Sequence, residues 1–127
     1  AVLKGDSPVI RSDGTFVRDY FFVRDAVQAY LALAERVPED GFIGEAFNFG
    51  TETPLSVTQM AGEILRIMGR EDLQLTILNQ ASNEISRQYL DCAKARARMQ
   101  WAPNWSLDDA LRETVAWYRD YFQRRET

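Results

Sequence analysis

The chain has 127 residues, one cysteine and no histidine. At about 100–150 residues per domain it is one domain or part of one. Its 15 Lys and Arg against 19 Asp and Glu give a net charge of −4, which argues against a nonspecific binder of nucleic acid or an anionic membrane surface, because phosphate contacts need clustered cations. Without histidine there is no Ser-His-Asp triad, no Cys-His pair, no imidazole base and no His zinc ligand. Cys92 alone can form neither an internal disulfide nor a Cys-rich metal site, a usage that fits a reducing, cytoplasmic setting. The apolar fraction of 46% is ordinary for a globular chain. No run of about 18 apolar residues predicts a membrane helix, and Ala1-Val2-Leu3-Lys4-Gly5 does not read as a signal peptide.

That opening pentapeptide reads instead as the last turn of a helix with its C-terminal glycine, as if the chain were cut from a longer protein. Pro8 to Arg11 predicts a short strand, and Ser12-Asp13-Gly14 a turn. Phe16 to Val23 predicts a longer strand. Phe16, Arg18, Tyr20 and Phe22 share one face, and Val17, Asp19, Phe21 and Val23 the other, so the strand is expected to be covered on both sides. Asp25 is expected to cap a helix reaching about Val37, with Val27, Tyr30, Leu31 and Ala34 as its buried stripe. Pro38 to Gly44 is a loop, and Ala46-Phe47-Asn48-Phe49 a short strand ending at Gly50.

Ser56-Val57-Thr58-Gln59 fits a capping box. The helix behind it buries Val57, Met60, Ala61, Ile64, Leu65 and Met68, and Gly69 ends it. Leu73 to Leu78 predicts a strand, with Leu73, Leu75 and Ile77 on one face. Asn79 to Gln88 is polar and rich in amides. Asp91 is expected to start a short helix through Met99, and Trp101-Ala102-Pro103-Asn104-Trp105 forms a loop with two aromatic anchors. Ser106 caps a last helix, in which Leu107, Ala110, Leu111, Thr114, Val115, Tyr118 and Phe122 recur at core spacing. The fold class is mixed α and β, with too few strands for a self-contained doubly wound sheet.

Arg18 and Asp19 are the most informative charges. They sit in the most apolar strand, on opposite faces, so they cannot simply pair with each other. Each is either half of a structural ion pair or, for Arg18, a guanidinium fork that meets a ligand anion such as a diphosphate. The stretch from Asn79 to Gln88 offers Gln80, Asn83, Glu84 and Arg87. These are neutral donors and acceptors, one carboxylate and one cation, a set that suits hydroxyls, a base edge and a phosphate. The same composition is also that of a plain solvated loop. Gly41-Phe42-Ile43-Gly44 follows a helix and Pro38, so it is no dinucleotide loop. Gly50 follows a strand and precedes a helix, a weak phosphate signal on its own. Cys92 reads as a small buried filler rather than a nucleophile. The tryptophans and C-terminal tyrosines read as packing.

Pro8 to Asp25, with its Arg18-Asp19-Tyr20 strand and Val23-Arg24-Asp25 opening a helix, resembles the extended short-chain dehydrogenase/reductase family, the nucleotide-sugar epimerases and dehydratases. Gly44-Glu45-Ala46-Phe47-Asn48-Phe49-Gly50 matches that family's G-E-x-[YF]-N-[IVF]-[GS] strand. Lys94, Trp101-Ala102-Pro103 and Thr114-Val115-x-Trp117-Tyr118 match its closing pattern. Within the family, Asn79 to Ile85 with Gln88-Tyr89-Leu90 most resembles the CDP-glucose 4,6-dehydratases, which yield CDP-4-dehydro-6-deoxyglucose.

The resemblance implies that residues 1–127 are the C-terminal, nucleotide-sugar-binding portion of an extended Rossmann-type enzyme, without its NAD-binding sheet. NAD would belong to the complete enzyme, with none bound by this chain alone. Arg18 matches the strand arginine that contacts the diphosphate, and Glu84 an acidic residue that meets the ribose. Ala81 stands where many relatives carry a second diphosphate arginine, and Arg87 is the candidate substitute. The catalytic Tyr-x-x-x-Lys pair does not occur: Tyr20 is followed at that spacing by Arg24, and Tyr89 by Ala93. No catalytic or metal residue is therefore assigned, and the chain is expected to be inactive by itself. An epimerase or another sugar-nucleotide dehydratase is the alternative within the family, and a free-standing binding or interaction module the alternative outside it. A strand cut off from its sheet predicts self-association as a homo-oligomer.

Overall fold

The computed structural model describes residues 1–81 and 84–125, so Asn83 lies outside the described residues. The chain divides into two compact units. The first comprises Ala1–Val17, Leu55–Arg87 and Ser106–Thr127; the second comprises Arg18–Pro54 and Gln88–Trp105.

The first unit opens with a single 3-10 turn, Val2–Lys4, closed by Gly5 at φ 84°. Strand β1, Val9–Ile10, pairs in parallel with β4, Thr76–Ile77, in the register Val9 to Thr76 and Ile10 to Ile77. A second sheet has the order β3-β2-β5, from Leu55–Ser56, Val17–Arg18 and Arg87–Gln88. Val17 donates its N–H to the Ser86 carbonyl at 2.8 Å, and Val57 donates to the Phe16 carbonyl at 3.0 Å.

Helix α2, Val57–Met68, starts on the expected reciprocal box. The Ser56 hydroxyl accepts from the Gln59 N–H at 3.1 Å, and the Gln59 side chain accepts from the Ser56 N–H at 2.8 Å. Gly69 ends the helix at φ 64°, a left-handed conformation that favours glycine. Met60 and Leu65 are its buried residues. Helix α4, Leu107–Gln123, packs against α2, and Arg66 joins Asp108 across them at 2.5 Å.

The second unit holds α1, Val23–Arg36, and α3, Ala93–Met99. Its core is Ala29, Phe42, Met99 and Trp101, with Phe21, Ala32, Leu33, Phe47 and Phe49 packed around it. Trp101 takes Phe21 and Phe49 edge-on, with ring centroids at 5.7 and 4.9 Å, geometries aromatic quadrupoles favour.

The structure corrects several expectations from the sequence. The strand expected over Phe16 to Val23 is only Val17–Arg18, and Val23 already belongs to α1. Its residues are half-buried rather than covered on both faces. Asp25 does not cap α1; Phe22 is the N-cap and makes no side-chain bond. The Asp25 carboxylate is buried and accepts from the backbone N–H groups of Asn104 and Trp105 at 2.9 and 3.4 Å. It latches the 101–105 loop to the helix.

The expected stripe of α1 faces solvent, with Val27 50%, Tyr30 76% and Leu31 52% exposed. The helix buries Ala29 instead, because a small side chain lets the aromatic rings approach. The strand expected over Ala46 to Phe49 is not formed among the described residues. The segment is held by Lys94 Nζ on the Ala46 carbonyl at 2.8 Å and by Asn48 on the Asp91 carbonyl at 3.1 Å. The strand expected over Leu73 to Leu78 shortens to Thr76–Ile77, with Ile77 48% exposed. Trp101 and Trp105 pack as expected, but Trp117 and Tyr118 are exposed, so the far end of α4 is not core.

Candidate functional site

The two strands β1 and β4 run in parallel, so their carboxyl ends lie together. Beyond those ends the chain continues as Arg11 to Gly14 on one side and Leu78 to Ala81 on the other. Gly14 has φ 84°, and a Cβ there would fall 2.4 Å from Thr58 Cγ2, so the turn admits only glycine. The Thr58 hydroxyl donates to the Gly14 carbonyl at 3.1 Å, and buried Ser12 accepts from the Gly14 N–H at 3.1 Å. The Asp13 carboxyl is held below its ordinary range by the N–H and hydroxyl of Thr15.

Opposite, Asn79 adopts φ 51° and donates its N–H to the Ser12 carbonyl at 3.2 Å. Gln80 and Ala81 both donate to the Arg11 carbonyl, at 2.7 and 3.1 Å. Gln80 is thereby fixed in backbone and exposed in side chain. Glu84 and Arg87 are also exposed, and Arg87 opens β5. Of the sequence-nominated residues, the first unit therefore carries Gln80, Glu84 and Arg87. The structure adds Arg11 beside Gln80, which strand periodicity had marked only as the end of β1.

Arg18 lies in the second unit, half-buried, and is not free of partners. Its neighbour Asp19 has a structural task. The Asp19 carboxylate accepts from the N–H groups of Thr51 and Glu52 at 2.8 and 3.0 Å, and from the Thr51 hydroxyl. This corrects the reading of Asp19 as half of an ion pair: neutral donors answer the carboxylate, and it organises a loop. Glu52, at φ 55°, accepts in turn from the Cys92 N–H at 3.1 Å and pairs with Arg96. Cys92 is buried, and burial, with Asp19 and Asp91 behind it, pushes its thiol upward. That is the opposite of an activated nucleophile. Burial also pushes the Tyr20 hydroxyl up, against the pull of the Arg18 charge.

Gly50 was the one glycine placed between an extended segment and a helix, so it tests whether this chain fits a dinucleotide. A Cβ on Gly50 would meet Asp19 Oδ2 at 2.4 Å. The space a glycine leaves there, and the N–H groups that follow it, are filled by the protein's own carboxylate. A dinucleotide-binding turn turns such groups toward a pyrophosphate. These residues do not fit NAD, and no step is derived through it. Among the described residues no group of three or more Cys, Asp or Glu is placed to hold a metal ion, and no helix is long and apolar enough to cross a membrane.

No family model matches the chain. It is similar to the dTDP-glucose 4,6-dehydratase of Haemophilus influenzae, at 34% identity over 122 residues, covering 86% of this chain and 34% of that protein. It is similar to the UDP-glucose 4-epimerase of Mycolicibacterium smegmatis, at 30% identity over 123 residues, covering 97% of this chain and 38% of that one. Among solved structures, the Thermotoga maritima UDP-glucose 4-epimerase with UDP-glucose matches at TM-score 0.79 and 29% identity, over 94% of this chain and 37% of that one. The Bacillus anthracis dTDP-glucose 4,6-dehydratase in complex with NAD, at 24% identity and TM-score 0.75, shares the fold. The mixed α and β architecture is that of the C-terminal part of these Rossmann-type enzymes. The chain spans about a third of the length of the proteins it matches.

Proposed function

We propose that this chain is the nucleotide-sugar-binding portion of an NAD-dependent sugar-nucleotide dehydratase or epimerase of the extended short-chain dehydrogenase/reductase family. The observation that carries the reading is the match, over 94% of the chain, to a third of an enzyme solved with UDP-glucose. In this reading the substrate is an anion with a sugar at one end and a base at the other. Arg18 offers a planar fork to the diphosphate, which a point charge does not imitate. Glu84 accepts from a ribose hydroxyl, Gln80 and Asn83 supply neutral donors and acceptors, and Arg87 adds a second cation. The role of this portion is to bind and orient. Oxidation and reduction at the sugar belong to groups outside the chain.

Both reaction classes have support, since the relatives include 4,6-dehydratases and 4-epimerases alike. The finer reading, CDP-glucose as substrate, rests on the Asn79 to Leu90 stretch; the similar proteins include enzymes of dTDP-glucose and UDP-glucose. Calorimetry on the longest form the gene encodes, with CDP-, UDP- and dTDP-glucose, tests the reading. Micromolar affinity for one of them, weakened in Arg18→Lys, is the expected result. NMR of the product then separates the classes: a 4-keto-6-deoxy sugar marks the dehydratase, and a C4 epimer the epimerase. Failure to bind any of the three overturns the proposal.

A further inference from the structure

A cleft of about 200 Å3 lies in the first unit, where the opening 3-10 turn meets the end of α4. Its walls are Leu3 and Lys4 from the turn and Arg119, Phe122 and Gln123 from the helix. Local geometry sets both sides. Arg119, Phe122 and Gln123 stand at i, i+3 and i+4, which is one face of a helix. The turn is closed by Gly5 at φ 84°, and Lys4 and Gly5 donate to the Ala1 and Val2 carbonyls at 2.8 and 3.0 Å.

The lining brings two positive charges and no carboxylate. In this unit Arg66 is answered by Glu63 and Asp108, Arg70 by Asp72, and Arg112 by Asp108. Asp120, next to Arg119 in the chain, is taken by Arg124 at 2.9 Å. Lys4 and Arg119 take part in no ion pair among the described residues, although the chain is acidic overall, at −4. Arg11 shares that condition, but Lys4 and Arg119 line one cleft together. Like charges so placed repel, and an anion between them removes the repulsion and gains charge-assisted hydrogen bonds. Lys4 Nζ lies 5.8 Å from the centroid of the Phe122 ring, a cation–π contact. That contact holds the ammonium at the cleft, so less side-chain freedom is lost when an anion arrives.

Size and lining fix the class of ligand. Clefts that take drug-sized ligands run to roughly 300–1,000 Å3, so this one is too small for a nucleotide sugar or a dinucleotide. Leu3 and Phe122, 36% and 37% exposed, give it apolar walls that a bare phosphate or acetate ion cannot use. A carboxylate with an apolar body uses both features: its oxygens meet the two cations, and its body covers the leucine and the ring. We propose that this cleft is a binding site for a small organic carboxylate. Nothing in it depends on the nucleotide-sugar reading above.

Saturation-transfer NMR on the longest form the gene encodes tests this, with benzoate as the probe and benzamide, acetate and inorganic phosphate beside it. Benzoate is expected to bind saturably with a Kd of about 1 mM, as befits a ligand of few atoms, and more weakly as salt is added. Benzamide keeps the ring without the charge, and acetate the charge without the ring; each is expected to bind about fivefold more weakly or worse. Lys4→Gln and Arg119→Gln should each weaken benzoate by about fivefold or more, with thermal melting to confirm the fold. Lys4 lies outside α4, so Lys4→Gln keeps the test valid if Arg119→Gln disturbs the helix. Absence of saturable benzoate binding overturns the proposal, and so does benzoate affinity unchanged in both variants. Equal affinity for benzamide would take the charge out of the recognition, and equal displacement of benzoate by phosphate would leave a bare-anion site; either result also overturns it.

Discussion

Asp19 is one carboxylate holding three donors, and Gly50 is the residue that leaves room for it. Gly50→Ala would drive a methyl into that carboxylate and within 3.5 Å of Cys92 Sγ. We expect it to destabilise the protein by about 1–3 kcal/mol, the usual cost of overpacking, read as a lower urea midpoint. An unchanged midpoint would mean that the loop shifts freely. Cys92 gives a pH dependence. Its thiol is held neutral by burial first and by Asp19 and Asp91 next, so its pKa is raised on folding. The contribution to stability is therefore complete below the ordinary thiol value of about 8.5 and is lost as pH rises toward the raised one. Alkylation of native Cys92 should stay slow through that range and become fast only in denaturant; fast labelling of the folded chain would contradict the burial. The identity of Asp19 as a charge needing an answer was legible in its apolar surroundings. Its partners, 32 and 33 residues away, were not.

Helix α2 was readable at both ends because its signals are local. Ser56 and Gln59 satisfy each other's backbone N–H, and Gly69 takes a φ that other residues resist. Ser56→Ala should cost about 1 kcal/mol, and a thermal melt that does not move would show the box to be redundant. Helix α1 is the opposite case. Its amphipathic stripe was visible, but the residue that enters the aromatic core is Ala29, with Ala32 and Leu33 packed beside it. Leu31, placed in the stripe by spacing, is 52% exposed. Leu31→Lys is therefore expected to change stability by less than about 0.5 kcal/mol. A loss of several kcal/mol would put this face in the core after all.

Taken whole, the chain leaves large apolar side chains in contact with water: Val23, Val27, Tyr30 and Leu31 along α1, and Trp117 and Tyr118 on α4. Ala46 to Phe49, expected as a strand, forms none among the described residues. Apolar side chains left in water favour association. We expect sedimentation over a dilution series to show the 127-residue chain self-associating as concentration rises. A monodisperse monomer at every concentration, with cooperative unfolding, would show that these surfaces are tolerated in water.

The sequence by itself determined what depends on neighbours in the chain: the capping box of α2, the Ser106 cap of α4, the Ser12-Asp13-Gly14 turn, the loop with its two tryptophans, and the mixed α and β class. It also determined what is excluded, since no folding can supply an imidazole or a second thiol. Tertiary structure alone decided which carboxylate answers which donor, as with Asp25 and the N–H groups of Asn104 and Trp105, 79 and 80 residues away. It decided that α1 buries Ala29 and Asp25 rather than the stripe its spacing marked. It also placed Arg11 beside Gln80, at the common end of two parallel strands. Periodicity says which residues share a face, but the face that is covered depends on the shape of what packs against it. A backbone hydrogen bond between distant segments leaves no mark on the composition of either.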